Sequence, residues 1–503
     1  DIPLNILLIG SLNKLKEFQN EKIFQINGIF SENALEIITK LSFHLFPSTE
    51  RGSSIETYIP YENNKLQRVV LCAIPIGCSR HNAPGRPHAV TDLIRANKGS
   101  GDISIILVND DPEQTAFSTS CAVARAFSTY TFKKKFPVDP NVSVYFNHRF
   151  SDFSTRLPFS TTTANHLASS IQQCQSLIDM PPNVLHTDAY ADIVQHIVED
   201  LRSQGHDVGI NIIRGDDLVT LGLNGLYGVG KSATHPSCLI HLSYTPPVVG
   251  EGTPTKSICL VGKGITYDTG GLSLKTKEGM PGMKRDMGGS AGVFFAFRSL
   301  VLDGANLASS SPTPIHALLC IAENGIGPDA TRPDDVHVLY SGKTVEINNT
   351  DAEGRLVLSD GVAYAAKNLN PEYIIDMATL TGAQGIATGK RHGALYCSDE
   401  DLERYAVSMG KFTGDLTHPL PYCPEFFTVE FASSIADMKN SVACRTNAQS
   451  SCAGQFIGNH IDSWIAEGGK WLHIDMAYPG EIGERATGYG VGLLYGIVAG
   501  LKK

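Results

Sequence analysis

Two hydrophobic patterns alternate through the amino-terminal third of the chain. Apolar runs of strand length occur at residues 5–9, 69–74, 103–108 and 142–146. Between these runs, residues 31–45 and 114–130 carry apolar side chains at helical spacing. Continuous runs predict buried strands and the wider spacing predicts amphipathic helices, so we predict a small α/β domain over residues 1–160.

A connecting helix is predicted after this domain. Residues 161–178 have helical spacing, and Pro181 and Pro182 follow, where a helix is disfavoured. We therefore predict a linker helix over residues 161–180 and a larger second domain over residues 181–503.

The second domain repeats the alternation on a larger scale. Strand-like apolar runs lie at residues 258–261, 315–322, 344–347 and 373–376. Helical patterns begin near Gly288 and Leu356. This order predicts a two-domain α/β fold whose second domain has a mixed, largely parallel sheet flanked by helices. Ligand crevices in such sheets lie at strand ends, where the charged residues of this domain are predicted to fall.

One predicted strand runs into a charged, glycine-rich segment. Residues 263–271 read Lys-Gly-Ile-Thr-Tyr-Asp-Thr-Gly-Gly, and Lys275 follows. Because glycine tolerates backbone conformations that other residues avoid, we predict a tight, ligand-facing loop here. Asp286 lies just before the helix that begins near Gly288.

A second charged segment, residues 348–355, reads Asn-Asn-Thr-Asp-Ala-Glu-Gly-Arg. In an extended backbone, Asp351 and Glu353 would project from the same side because side chains alternate along a strand. Gly354 would let the backbone turn, so that Arg355 presents a cation beside the two carboxylates.

These segments supply four carboxylates and lysine nitrogens, a set that suits divalent metals. Oxygen-rich sets with one nitrogen donor bind Zn²⁺, Mn²⁺ or Mg²⁺, and two cations would balance the negative charge. A lysine can join such a set only as the neutral amine, which a nearby dication favours. For an isolated lysine, a solvated surface charge is the alternative interpretation.

On these motifs the chain resembles the leucyl aminopeptidase family, the di-zinc exopeptidases also called cytosol aminopeptidases. Residues 349–356 reproduce the family signature Asn-Thr-Asp-Ala-Glu-Gly-Arg-Leu. The segment from Val261 to Asp268, with Lys275 and Asp286, stands at the family spacing. The resemblance covers about residues 175–503, whereas residues 1–160 match only in general character.

Parts of the second domain resemble one branch of the family in particular. Residues 376–389, 436–441 and 483–490 look like the animal aminopeptidase-like branch. The chemistry implied by the metal motifs is unchanged by this difference, while the substrate preference stays open.

The resemblance implies a metal-dependent aminopeptidase with two divalent ions per subunit, Zn²⁺ or Mn²⁺, with Mg²⁺ and Co²⁺ as alternatives. It implies that Asp268 and Glu353 bridge the two ions. Lys263 and Asp286 would complete one coordination sphere, and Asp351 the other. A water activated by both metals would attack the first peptide bond, and the free amino terminus of the substrate would bind one metal.

Two further roles follow from the resemblance. Lys275 would act as an electrophile that stabilises the negative oxygen of the tetrahedral intermediate. Arg355 would hold a bicarbonate ion that serves as the base, since its planar guanidinium matches a planar oxyanion. A structural ion pair with a nearby acid is the alternative role for Arg355.

The family's first-residue pocket implies a preference that is leucine-like or broad. The residues of this chain that resemble it are Met283, Thr379, Leu380, Gly382 and Ala453. Ordinary core packing is the alternative explanation for apolar residues at these positions.

Residues 225–232, Gly-Leu-Tyr-Gly-Val-Gly-Lys-Ser, also fit a phosphate-binding loop. Such a loop needs a helix that begins at the lysine, whereas Pro236 and a strand-like run at residues 238–244 follow here. We therefore predict a turn between strands instead of a nucleotide hydrolase.

The composition of the chain limits which other classes of protein are possible. The net charge of −10 disfavours a broad nucleic-acid surface, and no run reaches the length of a membrane span. The 11 cysteines show no metal-ligand spacing and are predicted to be reduced. The first ten residues read as a strand without a basic leader, so we expect a cytoplasmic protein.

The resemblance also implies a homohexamer that excludes folded substrates and acts on peptides with a free amino terminus. A family member without catalysis, acting as a binding or scaffolding hexamer, is the alternative. All seven residues with implied metal or catalytic roles are present, which favours the enzyme.

Overall fold

The computed structural model describes residues 5–18, 29–61, 65–134, 140–147, 157, 159–250, 253 and 256–501. The chain divides into two compact units. The first contains Asp1–Gln172 and Gly410–Leu416, and the second contains Gln173–Met409 and Thr417–Lys503.

The first unit is built on a five-stranded sheet. Its strands are β1 (Asn5–Gly10), β2 (Ser53–Tyr61), β3 (Lys65–Ala73), β4 (Ile103–Val108) and β5 (Val142–Phe146). Its helices are α1 (Leu12–Lys16), α2 (Glu32–Ser42), α3 (Pro87–Asn97) and α4 (Pro112–Arg125). The strand order is β2-β3-β1-β4-β5, and only the β2–β3 pairing is antiparallel.

Burial explains which of these strands the sequence reveals. β1 and β4 are almost wholly apolar and buried, as expected for central parallel strands covered on both faces. β2 lies at the sheet edge and mixes polar residues with Pro60, so its apolar signal is weak and the pattern of the sequence predicts no strand there. The α/β character predicted for this part of the chain is confirmed.

Helix α5 (Thr161–Asp179) follows, as the helical spacing predicts. The division between the two units falls inside this helix, after Gln172. The domain boundaries at residues 160 and 180 stay a prediction.

The second unit contains thirteen named strands, among the residues described. They are β6 (Val208–Arg214), β7 (Cys238–Tyr244), β8 (Ser257–Asp268), β9 (Ile315–Asn324), β10 (Val336–Val338), β11 (Thr344–Glu346), β12 (Pro371–Ala378), β13 (Gly393–Cys397), β14 (Thr417–Pro419), β15 (Met438–Lys439), β16 (Lys470–Asp475), β17 (Glu481–Ile482) and β18 (Arg485–Ala486). The main sheet has eight strands in the order β14-β13-β16-β12-β8-β9-β7-β6.

Helices accompany this sheet, and one of them runs on into the first unit. They are α6 (Thr187–Ser203), α7 (Asp216–Leu221), α8 (Asn224–Gly230), α9 (Gly288–Leu302), α10 (Gly354–Asn368), α11 (Ala383–Ala387), α12 (Glu400–Thr413), α13 (Pro424–Phe427), α14 (Gln449–Gly458), α15 (Asp462–Ala466) and α16 (Val491–Leu501). None of the helices in the described ranges is both long and apolar enough to cross a membrane.

The predicted mixed, largely parallel sheet is confirmed. Strands β8, β9, β12 and β16 pair in parallel at its centre, and the pairings of β9 with β7 and β7 with β6 are antiparallel. Helix α9 is apolar on nearly every face and is buried, and it packs on β8. This central part of the sheet is a rigid support for the charged residues at the end of β8.

The loop predicted from Lys263 onward is wrong in its first half. Strand β8 continues through the glycines to Asp268. A side chain on Gly262 would lie 2.4 Å from Ser290 Cα, so glycine here permits close packing of α9 on the strand. The tight turn comes later, at Gly270 and Gly271, where φ is +85° and +62°.

The glycine-rich segment at residues 225–232 is also different from the predicted turn. It forms α8, which ends at Gly230, before Lys231. A side chain on Gly225 would lie 2.7 Å from Leu356 O, so this glycine permits close helix packing. The backbone N–H of Leu226 donates to Asp360 Oδ2 at 2.9 Å. This N–H group is therefore bonded to a protein carboxylate and is not free to bind a phosphate.

Candidate metal centre and active-site cavity

A cavity of about 420 Å³ opens in the second unit, where β8 and β12 end. It brings together eleven of the twelve residues predicted from the sequence to form a site. These residues are Lys263, Asp268, Lys275, Met283, Asp286, Asp351, Glu353, Arg355, Thr379, Leu380 and Gly382.

Three segments deliver the predicted metal ligands. Lys263 and Asp268 lie on β8, and Asp286 follows a short 3₁₀ turn just before α9. Asp351 and Glu353 precede α10, but the segment is not extended: Asp351 lies in a turn and Glu353 has helical backbone angles. The turn, instead of strand alternation, brings these two carboxylates to the same cavity.

Lys263 lies between two carboxylates and is almost fully buried. Its Nζ is 2.8 Å from Asp286 Oδ1 and 3.0 Å from Glu353 Oε1. It also donates to the backbone oxygen of Thr379 at 3.0 Å. Burial by itself would lower the pKa of Lys263, but the charges of Asp286 and Glu353 outweigh burial and raise it above its ordinary value.

Lys275 makes a second pair of contacts at the same centre. Its Nζ is 2.8 Å from Asp268 Oδ2 and 2.5 Å from Asp351 Oδ1. Burial opposes the charge, yet the two acids raise the pKa of Lys275 above its ordinary value. Asp268 is held from its other oxygen by the N–H of Gly270 and the side chain of Asn324, each at 2.8 Å.

The pKa values of the carboxyl groups reflect the cost of burying several negative charges close together. Burial raises the pKa of Glu353, the charge of Asp268 raises it further, and Lys263 opposes both. Burial is also the main cause of the raised pKa values of Asp286 and Asp351. Groups with raised pKa values, buried together in a cleft, are typical of functional sites.

The donor set fits divalent cations. One carboxylate oxygen each from Asp268, Asp286 and Glu353 lies within 4.8 Å of the others. Within the described part of the chain, Asp286 Oδ2 and Glu353 Oε2 are buried and have no hydrogen-bond partner. Buried carboxylate oxygens without a donor are costly unless a cation satisfies them, and hard oxygen ligands suit Zn²⁺, Mn²⁺ and Mg²⁺.

Gly354 has a different role from the predicted turn. It is the first residue of α10 and lacks a left-handed backbone. A side chain at this position would lie 2.5 Å from Lys263 Cε and 2.7 Å from its Nζ. Glycine therefore leaves the space that the lysine fills.

Arg355 is buried and also lines the cavity. It donates to the backbone oxygen of Asn440 at 3.0 Å, and its guanidinium lies over the ring of Phe456. Burial lowers the pKa of Arg355 to about 10. No carboxylate of the described residues forms an ion pair with it within 4.0 Å, so the structure offers no support for the alternative of a structural ion pair.

The predicted first-residue pocket is assembled only in part. Met283, Thr379, Leu380 and Gly382 line the cavity. Ala453 does not: it is fully buried in α14, where it packs inside the core. An alanine inside an apolar helical pattern gives no sequence signal that separates a pocket wall from a core position.

Several lining residues were missed in the sequence. They are Gly279, Arg285, Asn349, Ala352, Gly354, Thr381, Ser441, Arg445, Gln449, Ala477, Tyr478 and Glu481. Among them, Arg285 pairs with Glu481 at 2.5 Å. Only those within or beside the quoted motifs carried any local signal, because the others reach the cavity through long-range folding.

Buried polar residues outside the cavity hold its loops. Asp475 accepts hydrogen bonds from Leu380 N at 3.1 Å and Thr381 Oγ1 at 2.6 Å. Asn440, which is fully buried, donates to Asn349 O at 2.7 Å and accepts from Asn348 N at 2.9 Å. The loops that carry the site are thereby fixed from behind.

Family comparisons match both parts of the chain. The catalytic domain of the cytosol aminopeptidase family matches residues 172–495. The M17 aminopeptidase N-terminal domain 2 matches residues 4–136.

Similar proteins include animal members. The chain is 47% identical over 439 residues to the probable aminopeptidase NPEPL1 of Homo sapiens, covering 85% of this chain and 79% of that protein. It is 40% identical over 500 residues to leucine aminopeptidase 1 of Caenorhabditis elegans, covering 97% and 93%.

Among solved structures, a leucyl aminopeptidase from Leishmania major in complex with actinonin superimposes with a TM-score of 0.87. It is 35% identical in sequence, and the match covers 99% of this chain and 92% of that one.

Proposed function

The chain belongs to the cytosol aminopeptidase family, and from this membership we propose that it removes single residues from the amino terminus of peptides in a metal-dependent reaction. It is accordingly a hydrolase that acts on peptide bonds. We propose a first-residue preference that is leucine-like or broad.

One observation carries the proposal. Five proposed metal ligands and two proposed catalytic side chains come from separate segments and line the same cavity. The whole proposed set therefore converges on one cavity.

We assign the metal positions as follows. Asp268 and Glu353 would be shared by two divalent ions, Lys263 and Asp286 would complete one set, and Asp351 the other. When bound, such ions supply Lewis acidity and activate water at neutral pH. Gly270 N and the side chain of Asn324 hold Asp268, and the backbone oxygen of Thr379 holds Lys263.

Lys275 is the proposed electrophile. It lies on the cavity wall, and its contacts with Asp268 and Asp351 hold its ammonium group between these two carboxylates. A fixed positive charge stabilises the oxygen that becomes negative when water adds to the peptide carbonyl.

Arg355 is the proposed holder of bicarbonate, which would serve as the base. Its side chain lines the cavity, and its Nε is buried without a hydrogen-bond partner among the described residues. A guanidinium presents N–H donors in a planar fork, which suits a planar oxyanion.

We also propose a cytoplasmic homohexamer that acts on peptides with a free amino terminus. Relatives of this chain are named cytosol aminopeptidases. The test of assembly is the mass in solution, measured by light scattering after size exclusion, against the 54.2 kDa of one chain.

The activity is tested with fluorogenic aminoacyl amides, including leucine, and with the same amides blocked at the amino group. Protein dialysed against a chelator is assayed before and after addition of Mn²⁺ or Zn²⁺. We expect turnover only with metal and only on unblocked amides. Cleavage of blocked amides would contradict an aminopeptidase, and silence across the panel with metal bound would favour a scaffolding role.

A further inference from the structure

The cavity holds a cation that the proposed chemistry does not use. Lys263 and Lys275 pair with the carboxylates of the metal centre, and Arg285 pairs with Glu481. Arg355 is buried, and it is the proposed holder of bicarbonate. The fifth cation, Arg445, lines the cavity, is exposed, and forms no ion pair with any carboxylate of the described chain.

The segment before Arg445 is fastened to the signature loop. Asn440 bonds to the backbone of Asn348 and Asn349, and Ser441 N donates to Asn348 Oδ1 at 2.9 Å. The backbone oxygen of Asn440 also accepts from Arg355 at 3.0 Å. The segment that leads to Arg445 is therefore held by hydrogen bonds to the loop that carries proposed metal ligands.

The segment around Arg445 has a second anchor, Glu430. One carboxylate oxygen of Glu430 accepts from Cys444 N at 3.1 Å, and the other accepts from the side chain of Asn447 at 2.7 Å. The backbone oxygen of Glu430 accepts from Ala443 N at 3.0 Å. These bonds hold the backbone on both sides of Arg445, at a position where its side chain lines the cavity.

Arg445 and the proposed first-residue wall come from different segments. Met283 and the loop of Thr379 to Gly382 form that wall, whereas Arg445 enters with Ser441 and Gln449. When the side chain of the first residue of a peptide contacts this wall, the second residue of the peptide would face the segment that carries Arg445. A guanidinium there matches a carboxylate in charge and in planar geometry.

We propose that Arg445 binds a carboxylate on the residue that follows the scissile bond. This inference rests on the proposed function and names its substrate class: peptides whose second residue carries a negative charge. The charge can come from the free α-carboxylate of a dipeptide or from an acidic side chain.

The test compares three substrates with the metal-loaded protein: Leu-Gly, Leu-Gly-amide and Leu-Asp-amide. Leu-Gly carries an α-carboxylate, Leu-Asp-amide carries only a side-chain carboxylate, and Leu-Gly-amide carries neither. The kcat/KM of each is measured for the wild type, Arg445→Gln and Arg445→Lys. Arg404→Gln is the matched control, because Arg404 is an exposed arginine of the same unit that does not line the cavity.

We expect the preference for a carboxylate over Leu-Gly-amide to fall about fivefold in Arg445→Gln, since exposed ion pairs are worth little more than this. The loss should be in KM, because the contact is made equally in the ground state and the transition state. Arg445→Lys should keep part of the preference, Arg404→Gln should keep all of it, and added salt should weaken it in the wild type.

The two acidic substrates separate the sources of the carboxylate. A fall confined to Leu-Gly would identify dipeptides, and a fall confined to Leu-Asp-amide would identify an acidic second residue. Unchanged ratios in Arg445→Gln, with all three substrates turned over, would overturn this inference alone. No turnover of any substrate by the wild type would overturn the proposed function as well.

Discussion

At the residue scale, the lysine ammonium groups of the proposed centre do not fully balance the negative charge of its carboxylates. Four carboxylates, from Asp268, Asp286, Asp351 and Glu353, face the ammonium groups of Lys263 and Lys275. Two ammonium groups leave an excess of carboxylates, and burial, which disfavours their negative charge, raises the pKa values of Asp286, Asp351 and Glu353. Divalent cations would remove this excess, which is why the same residues suit metal binding.

Lys275→Ala separates catalysis from metal binding. Removing the ammonium group should lower kcat by about 10²–10³, the range for loss of one electrostatic stabiliser. Metal content, measured by atomic emission after dialysis, should stay at the wild-type value, because the five proposed ligands remain. Asp268→Ala is the contrasting variant and should lose both metal and turnover. Wild-type turnover by Lys275→Ala would remove this residue from the mechanism.

Gly354→Ala tests the space beside Lys263. The added methyl group would lie 2.5 Å from Lys263 Cε, so the buried lysine must leave its position. We expect kcat/KM to fall about 100-fold, as small displacements of catalytic groups do, while circular dichroism stays unchanged.

Gly325→Ala is the control for this substitution. The nearest atom to its added methyl group is Ser232 Oγ at 3.7 Å, an ordinary contact. Activity of Gly325→Ala should match the wild type. Full activity of Gly354→Ala would show that Lys263 can move without consequence.

At the scale of elements, one buried carboxylate joins two helices of the catalytic unit. Asp360 lies on α10 and accepts from Tyr340 N at 2.8 Å and from Leu226 N of α8 at 2.9 Å. Burial raises the pKa of Asp360 to about 7, although these N–H donors favour its charged form. The joint between α8 and α10 therefore depends on an acid that titrates near neutrality.

Stability should follow this titration. The folded pKa lies above the unfolded value of about 3.9, so the folded state binds more protons and the contribution of Asp360 is lost as pH rises from about 4 to about 7. In Asp360→Asn this decrease of stability with rising pH should disappear. The melting temperatures of both proteins, measured at a series of pH values, should approach each other or cross as pH increases. Parallel curves would show that Asp360 does not titrate in this range.

At the scale of the whole molecule, each unit has its own sheet and apolar core, and the proposed centre lies wholly in the second. Its ligands come from β8, from the turn before α9 and from the residues before α10. These segments meet only when the unit is folded, so metal binding and folding of this unit are linked.

Metal removal should therefore lower thermal stability. A ligand that binds only the folded state stabilises it by about 2.7 kcal/mol when its free concentration is ~100 times Kd. Differential scanning fluorimetry of chelated protein should show a lower melting temperature that Mn²⁺ or Zn²⁺ restores. Glu353→Gln is the control and should respond much less to added metal. An equal response in Glu353→Gln would place the bound metal elsewhere.

The sequence by itself determined the fold class, the central strands and the family. Buried central strands such as β4 and β9 can be recognised in the sequence as apolar runs, because both of their faces are covered. The proposed metal motif is visible as a short sequence because Asp351, Glu353 and Arg355 lie within one local segment.

Only the tertiary structure decided what the glycines do and which distant residues reach the cavity. Gly262 and Gly354 are recognised as packing positions once Ser290 and Lys263 lie against them. In the same way, only the tertiary structure shows that Arg445 lines the cavity, whereas Ala453 is fully buried in α14. The local sequence pattern shows whether a position is apolar. Contacts between residues far apart in the chain depend on packing in the folded protein, and a short segment of sequence does not specify them.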